Sequence, residues 1–190
     1  EEVGTAVADV MCNTVNVSMA LNEAHLWEVG NGRLYDLEYE LVKNGEVVDK
    51  AKGYFGLRTV SLNDNCMCIN GKKVFQRLVL DQGFYPDGIY TAPTEEDLIN
   101  DIKISMDAGF NGARLHQKVF EARFLYHADK MGYIVWGEHA NWGMDFYDVH
   151  ATETFLNEWM EIVDRDFNHP AIIGWCPFNE TWNMHGAEQY

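Results

Sequence analysis

The sequence predicts an α/β protein, the first half of a (β/α)₈ TIM barrel preceded by part of an antiparallel β-sandwich. Period-two strands and tight turns dominate the chain before residue 75. After residue 77, short apolar strands alternate with amphipathic helices, a pattern typical of a parallel sheet covered by helices. No glycine-rich loop with dinucleotide spacing follows the first of these strands, which favours a barrel over a dinucleotide-binding fold.

The amino-terminal part shows the alternation of half-buried strands. In residues 34–42 four apolar side chains share one face and acidic residues occupy the other; the apolar positions are Tyr35, Leu37, Tyr39 and Leu41. The Asn-Gly pairs at 44–45 and 70–71 predict tight hairpin turns. Residues 53–60 predict a further strand, and no helical pattern of useful length appears before residue 90. We therefore assign residues 1–62 to a partial sandwich.

The carboxyl-terminal part, residues 63–190, is assigned to four βα units. The four predicted strands of its parallel sheet lie at 78–80, 112–115, 133–136 and 171–176. The first predicted helix begins after the N-cap Thr94 and ends at Gly109. The second contains Phe120 and Phe124 and ends at Gly132. The third spans residues 152–167. Because a complete barrel needs about 250 residues, the chain supplies about half of one and stops just past its fourth strand.

Composition and charge narrow the classes of function. Thirty acidic against fourteen basic residues give a formal net charge of −16, which disfavours nucleic acid and anionic membrane surfaces as partners. No apolar run approaches the ~18 residues of a membrane span. The chain opens at Glu1 without an initiator Met or a signal-peptide pattern, so we expect it to be a piece of a longer protein.

The cysteines predict neither disulfides nor a metal site. Cys66 and Cys68 are too close for an unstrained bridge, Cys176 lies in an apolar run, and no second pair stands at ligand spacing from the first. Reduced thiols packed as small hydrophobes indicate a reducing compartment, and we expect a cytoplasmic protein without cofactor or metal.

Polar and aromatic residues follow every predicted parallel strand, at the end where barrels place their sites. These candidates are Asp81, Arg114, His116, Glu138, Trp142, Asn179, Glu180 and Trp182. Glu180 is the candidate general acid, since a carboxyl group beside an apolar strand and two Trp has an environment that raises its pKa. Indole faces stack on sugar rings, and four of them are expected to crowd this mouth: Trp136, Trp142, Trp175 and Trp182.

Other interpretations stay open for these residues. Glu180 could be a solvated loop residue, Arg114 a buried ion-pair partner and His116 a helix cap instead of a ligand of a substrate hydroxyl. Glu138 could bind sugar hydroxyls or pair with Arg114. His169, before Pro170, is interpreted as a helix-end residue away from any ligand. A metal held by Glu138, His139, His116 and Glu180 is disfavoured, because adjacent Glu and His is not a known ligand pattern.

An ordered series of motifs resembles glycoside hydrolase family 2, the family of β-galactosidases, β-glucuronidases and β-mannosidases. The first motifs, at 54–60 and 70–77, resemble the junction between the family's immunoglobulin-like domain and its barrel. The later ones are Asn111-Gly112-Ala113-Arg114-Leu115-His116, then 129–138, then 169–175 leading to Asn179-Glu180. The likeness runs from about residue 26 to 186 and implies that residues 1–62 are part of an immunoglobulin-like β-sandwich.

The resemblance also implies roles for individual residues. Glu180 matches the acid/base carboxylate, Asn179 the residue that hydrogen-bonds the sugar 2-hydroxyl, and Arg114 the arginine that orients the nucleophile. The nucleophile lies on the family's seventh strand, which this chain does not reach. The family often has Asn-Arg-His-Glu after strand one, whereas this chain has Leu80-Asp81-Gln82-Gly83, so we expect an altered sugar subsite. We also expect these 190 residues to contain no counterpart of the jelly-roll domain that precedes the sandwich in the family.

The function implied is that of a fragment of a retaining exo-β-glycosidase, β-galactosidase-like, acting on terminal β-linked sugars. The fragment alone is expected to be inactive because it carries one carboxylate of the catalytic pair. The partner is a carbohydrate substrate, and the full-length protein could form a homo-oligomer. Two alternatives are a non-catalytic carbohydrate-binding relative and a metal-dependent barrel hydrolase that uses His116, Glu138 and His139.

Overall fold

The structure, a computed structural model, describes residues 2–181 and has a mixed α/β architecture. Its strands are β1 (Tyr35–Lys43), β2 (Glu46–Phe55), β3 (Val60–Asn63), β4 (Cys66–Ile69), β5 (Lys72–Lys73), β6 (Leu78–Asp81), β7 (Gly112–Leu115), β8 (Ile134–Glu138) and β9 (Ile172–Cys176). Its helices are α1 (Glu95–Asp107), α2 (Ala122–Met131) and α3 (Val149–Asp166). None of these helices is long and apolar enough to cross a bilayer.

The amino-terminal strands form two small antiparallel sheets, β1-β2 and β3-β4-β5. Both predicted Asn-Gly turns are present, with positive φ at each residue: 55° and 82° at Asn44 and Gly45, 52° and 74° at Asn70 and Gly71. This backbone is that of the tight turns whose twist matches the strands they join. The expected strand over 53–60 is divided, since β2 ends at Phe55 and β3 begins at Val60.

The expected half-burial of β1 is observed only at the start of the strand. Tyr35 is buried against the stacked ring of Phe55, with centroids 4.9 Å apart. Farther along the strand Tyr39 is 54% and Leu41 45% exposed. Apolar and acidic residues do alternate along β1. The outer part of the β1-β2 hairpin, however, extends beyond the elements that would cover its apolar face. The assignment of residues 1–62 to a sandwich therefore stays a prediction.

The second part of the chain contains the predicted parallel sheet, with strand order β6-β7-β8-β9. Each crossover contains one helix, and right-handed crossovers in sequential order place the helices on one face of the sheet. Thr94 caps α1, its hydroxyl accepting from the Asp97 backbone and Asp97 accepting in return from the Thr94 backbone. Gly132 ends α2 in the left-handed conformation, as predicted. Helix α3 starts at Val149, earlier than expected, because Asp148 caps it.

The two faces of the sheet differ in what packs on them. Across the β8-β9 pair, Trp136 lies over Gly174 and Trp175 over Gly137, and any Cβ on either glycine would come within 2.7 Å of an indole. Trp175 meets Trp159 of α3, so its face is the helix-covered one. Trp136 therefore lies on the helix-free face, where its Nε1 donates to Gln76.

Buried polar contacts fix the amino-terminal sheets to the base of the parallel sheet. The fully buried Asp129 of α2 accepts from Tyr54 of β2 at 2.9 Å and from the Ala171 backbone at 2.8 Å. Arg58 donates to the carbonyl oxygens of Pro170 and Ile172 at 2.9 and 2.6 Å. The start of β9, the strand that leads to Glu180, is thus held from the other part of the chain.

Candidate functional site

The candidate residues lie where the parallel strands end. Asp81 and Glu138 are the last residues of β6 and β8, and His116 directly follows β7. Asn179 and Glu180 come three and four residues after the end of β9. These positions share the carboxyl-terminal edge of the sheet, the edge at which barrel proteins place their sites. The fold therefore brings the ends of these four strands to one edge, as predicted.

The centre of the site is a buried ion pair on the helix-free face. Arg114 Nε donates to Glu138 Oε2 at 2.6 Å, and its Nη2 donates to Glu138 Oε1 at 3.1 Å. The same Nη2 donates to Asn179 Oδ1. The Glu138 side chain is fully buried, whereas that of Arg114 is about one-third exposed. The hydrogen bond to Glu138 raises the pKa of Arg114, so the guanidinium is always charged.

Glu138 forms the ion pair with Arg114 that was one of its two interpretations. Its two carboxylate oxygens accept from Arg114, and Oε1 also accepts from the Gln117 backbone at 3.0 Å. A fully buried carboxylate with these donors is held in place. None of these hydrogen bonds uses Arg114 Nη1, and about one-third of the side chain is exposed, so the guanidinium remains able to orient another anion.

Gln117 and Asn141 connect the loops around this pair, and neither was among the predicted site residues. The Gln117 amide donates to Asn141 Oδ1 at 2.6 Å and accepts from the Asn141 backbone at 2.9 Å. Asn141 in turn accepts from the Asn179 backbone N–H and donates to its carbonyl. Gln117 has a φ of 55°, an uncommon left-handed value for a residue with a side chain. The available signal was their position, within a few residues of the ends of predicted strands.

Asn179 carries an unused donor. Its Oδ1 faces Arg114, which fixes the orientation of the amide and directs Nδ2 elsewhere. The residue is 6% exposed, and Nδ2 is buried without a hydrogen-bond partner in the described part of the chain. Leaving a buried donor unsatisfied costs about 1–3 kcal/mol. A ligand oxygen that accepted from Nδ2 would recover that free energy.

His116, Gln82 and Trp142 form the next part of the edge. Gln82 Nε2 contacts His116 Nδ1 at 2.9 Å; if the amide donates, the imidazole proton lies on Nε2. The indole of Trp142 meets the His116 ring edge-on at 5.2 Å and is 59% exposed. Asp81 accepts from the Gly83 backbone at 2.8 Å, and burial raises the pKa of its carboxyl group. Ring faces and hydrogen-bonding groups are therefore adjacent here.

Glu180 stands apart from the buried cluster. Its side chain is exposed, not enclosed by apolar surface as expected, and its φ of 55° is a left-handed value. Strained backbone of this kind concentrates at functional sites. Trp182 lies outside the described residues. The expected crowding of indoles at one mouth is wrong for Trp175, which packs under α3, because neighbouring strand positions face opposite sides of the sheet.

His139 and His169 lie away from this edge cluster. His139 stacks on Phe155 of α3 at 4.6 Å, beside a depression of about 410 Å³, and burial lowers its pKa. His169 contacts the buried Asp129 at 2.6 Å, at the junction with the amino-terminal sheets. No three His, Cys, Asp or Glu side chains in the described ranges are grouped as metal ligands would be. The geometry therefore gives the metal-hydrolase alternative no support.

A family model and individual relatives both indicate the family that the sequence motifs resemble. Residues 2–58 match the family described as "Glycosyl hydrolases family 2". A β-galactosidase of Lactococcus lactis is 30% identical over 179 residues, covering 90% of this chain and 18% of that protein. A β-glucuronidase of Streptococcus agalactiae is 24% identical over 196 residues, covering 93% of this chain and 32% of that protein.

Solved structures show the fold. A β-glucuronidase from Ruminococcus gnavus superposes with a TM-score of 0.80 at 22% identity, over 91% of this chain and 30% of that one. A β-glucuronidase from Parabacteroides merdae has a TM-score of 0.73 at 21% identity, over 85% of this chain and 20% of that one. The chain thus spans between about a fifth and a third of the proteins that it matches, and it has the α/β fold of that part.

Proposed function

We propose that this chain, which belongs to glycosyl hydrolase family 2, supplies the first half of the (β/α)₈ catalytic barrel of a retaining exo-β-glycosidase, with part of an immunoglobulin-like sandwich before it. The observation that carries the proposal is the Arg114–Glu138–Asn179 cluster at the carboxyl-terminal edge of the sheet. It combines a fixed cation with a buried, unused amide donor on Asn179. Relatives named β-galactosidase and β-glucuronidase, which match nearly the whole chain, support the same class of activity.

Glu180 is proposed as the general acid and base. Its position beside Asn179, at the exposed rim, lets it reach the oxygen that leaves the anomeric carbon. It donates its proton as the glycosidic C–O bond breaks, while a carboxylate from outside this chain bonds to the anomeric carbon. It then takes a proton from the water that displaces this carboxylate, which returns Glu180 to its acid form.

Glu138 is not proposed as the second carboxylate of the pair. Its oxygens are engaged by Arg114 and the Gln117 backbone, and its side chain is fully buried. Arg114 Nη1 instead supports the proposal that the arginine orients a nucleophile supplied by a later strand. The Asn179 amide is proposed to donate to the sugar 2-hydroxyl, and His116 and Trp142 to contact the ring. The acidic chain suits a neutral substrate such as a β-galactoside.

The test is the dependence of hydrolysis on the leaving group in the longer protein that contains this chain. Glu180→Gln should reduce kcat/KM at least about a hundredfold for alkyl glycosides. The loss should be far smaller for nitrophenyl glycosides, because the nitrophenolate group leaves without being protonated. Asn179→Ala serves as a second variant that should reduce both substrate types equally. Equal losses for Glu180→Gln on both types would contradict its role. Sugar binding without hydrolysis by the wild-type protein would favour the non-catalytic alternative.

A further inference from the structure

We propose that Lys118 is a positioning residue, holding the loop after β6 against the loop after β7 and thereby fixing the Gln82–His116 pair at the mouth of the site. This inference rests on the proposed function for its effect on substrate, but the contact itself is independent of it. Lys118 lies three residues after the end of β7, in the segment that also carries His116 and Gln117. No role was predicted for it from the sequence.

The surroundings of the ammonium group are unusual for a lysine. Nζ donates to the carbonyl oxygen of Gly83 at 2.7 Å and to that of Tyr90 at 2.8 Å. It lies 4.4 Å from the ring centroid of Tyr90 and 5.0 Å from that of Phe120. The residue is 7% exposed and forms no ion pair among residues 2–181. Lysine is rarely buried unless it is paired with an acidic group. We therefore infer that this buried ammonium group serves to hold the two carbonyls that it contacts.

The two carbonyls belong to the loop after β6 and lie on either side of its Tyr85–Ile89 bridge. Gly83 is also fixed from its other side, because its N–H donates to Asp81 Oδ1 at 2.8 Å. Within the loop, Tyr85 and Ile89 exchange backbone hydrogen bonds of 2.9 Å in both directions. Directly after this bridge, the Tyr90 hydroxyl donates to the Gln117 carbonyl at 3.1 Å. One ammonium group thus ties the segments before and after this bridge to the neighbouring loop.

The consequence for the site follows from the position of Gln82. It lies between Asp81, the last residue of β6, and the fixed Gly83, and its amide contacts His116 at 2.9 Å. Releasing Gly83 would let Gln82 move away from His116. Burial also lowers the pKa of Lys118, while neighbouring acidic groups, Asp81 first among them, counteract this effect. Lys118 itself faces loop carbonyls and ring faces and does not touch the reacting groups.

Two variants disturb this contact from opposite sides. Lys118→Met keeps the apolar stem and removes the two hydrogen bonds. Gly83→Ala places a Cβ 2.7 Å from Lys118 Nζ at a φ of 61°, which displaces the same contact from the loop side. The matched control is Lys130→Met, which removes a lysine that lies 5.2 Å from the Tyr126 ring, at the end of α2.

The first measurement is hydrogen exchange in the longer protein that contains this chain. Lys118→Met and Gly83→Ala should speed exchange of the Tyr85 and Ile89 amides at least about tenfold, with strands β7 and β8 unchanged, because the loop opens on its own. The second is kcat/KM on the preferred nitrophenyl glycoside and its monodeoxy analogues. The ratio of kcat/KM for the parent glycoside to kcat/KM for at least one deoxy analogue should fall about tenfold in both variants and stay unchanged in Lys130→Met. The reason is that a displaced Gln82–His116 pair no longer distinguishes the sugar that has the hydroxyl from the one that lacks it.

Each result decides one part of the inference. Unchanged exchange in both variants would overturn the role of Lys118 in holding the loop. Faster exchange with unchanged discrimination for every analogue would overturn its role in positioning Gln82 and His116. A wild-type protein that hydrolyses no β-glycoside would overturn the proposed function instead, and the exchange rates would still decide whether Lys118 holds the loop.

Discussion

Replacing Glu138 by glutamine tests whether the buried ion pair organises the edge of the sheet. Glutamine keeps an acceptor for the Gln117 backbone but turns an NH₂ group toward Arg114, which loses one of its two hydrogen bonds to residue 138. Removing one partner of a buried pair costs about 3–5 kcal/mol. The Arg114 side chain is about one-third exposed, and water recovers part of this loss. We therefore expect a local destabilisation of about 2–3 kcal/mol.

The assay is native-state hydrogen exchange of the β8 amides in the longer protein that contains this chain. At 1.36 kcal/mol for each factor of ten, the expected loss speeds exchange about 30- to 150-fold. The control is Glu96→Gln, which removes an exposed contact with Lys103 and should change exchange by less than about threefold. The double variant with Arg114→Gln should lose less than the sum of the single losses. An effect of Glu138→Gln no larger than that of the control would refute the reasoning.

Four further outcomes are expected. Gly137→Ala should lower stability by about 1–3 kcal/mol in urea unfolding, because its Cβ would lie 2.7 Å from the Trp175 ring. Tyr54→Phe should cost about 1 kcal/mol in the same measurement, since Asp129 loses one donor. Burial lowers the pKa of His139, so the unfolded chain binds more protons below its usual pKa of 6.5; Tm should fall as pH drops from 7.5 to 5.5, and less so in His139→Phe. The 190-residue chain alone should self-associate in light scattering, because among residues 2–181 no strand pairs with the outer edge of β9. It should also show no turnover on aryl β-glycosides, because it carries one carboxylate of the catalytic pair.

Local signals predicted most of the fold. The alternation of residues 34–42 and the Asn44-Gly45 pair are sufficient to specify a hairpin, since register and turn type depend on neighbouring residues alone. Thr94 with Asp97 likewise marks the start of α1 through contacts within one turn. The exposure of Tyr39 and Leu41 was not predictable in this way, because burial depends on what packs against a strand and not on the strand's own pattern.

The site was predictable as a location but not as a set of contacts. Residues at the ends of parallel strands meet by topology, so Arg114, Glu138 and Asn179 could be grouped from the order of elements. Which side chains pair within that group depends on distances of a few ångströms between different loops. The bridging roles of Gln117 and Asn141, and the two carbonyl contacts of Lys118, arise only once the loops are folded together.

The most direct test of the central claim is azide rescue of Glu180→Gln in the longer protein that contains this chain. With a dinitrophenyl β-glycoside, the glycosyl-enzyme forms without proton donation, but water then attacks slowly for want of a general base. Azide is an anion that needs no deprotonation, so it should raise kcat at least about tenfold and yield the β-glycosyl azide, with the wild-type rate unchanged. Failure of azide to accelerate Glu180→Gln, or formation of the α-glycosyl azide, would contradict a retaining mechanism with Glu180 as its acid and base.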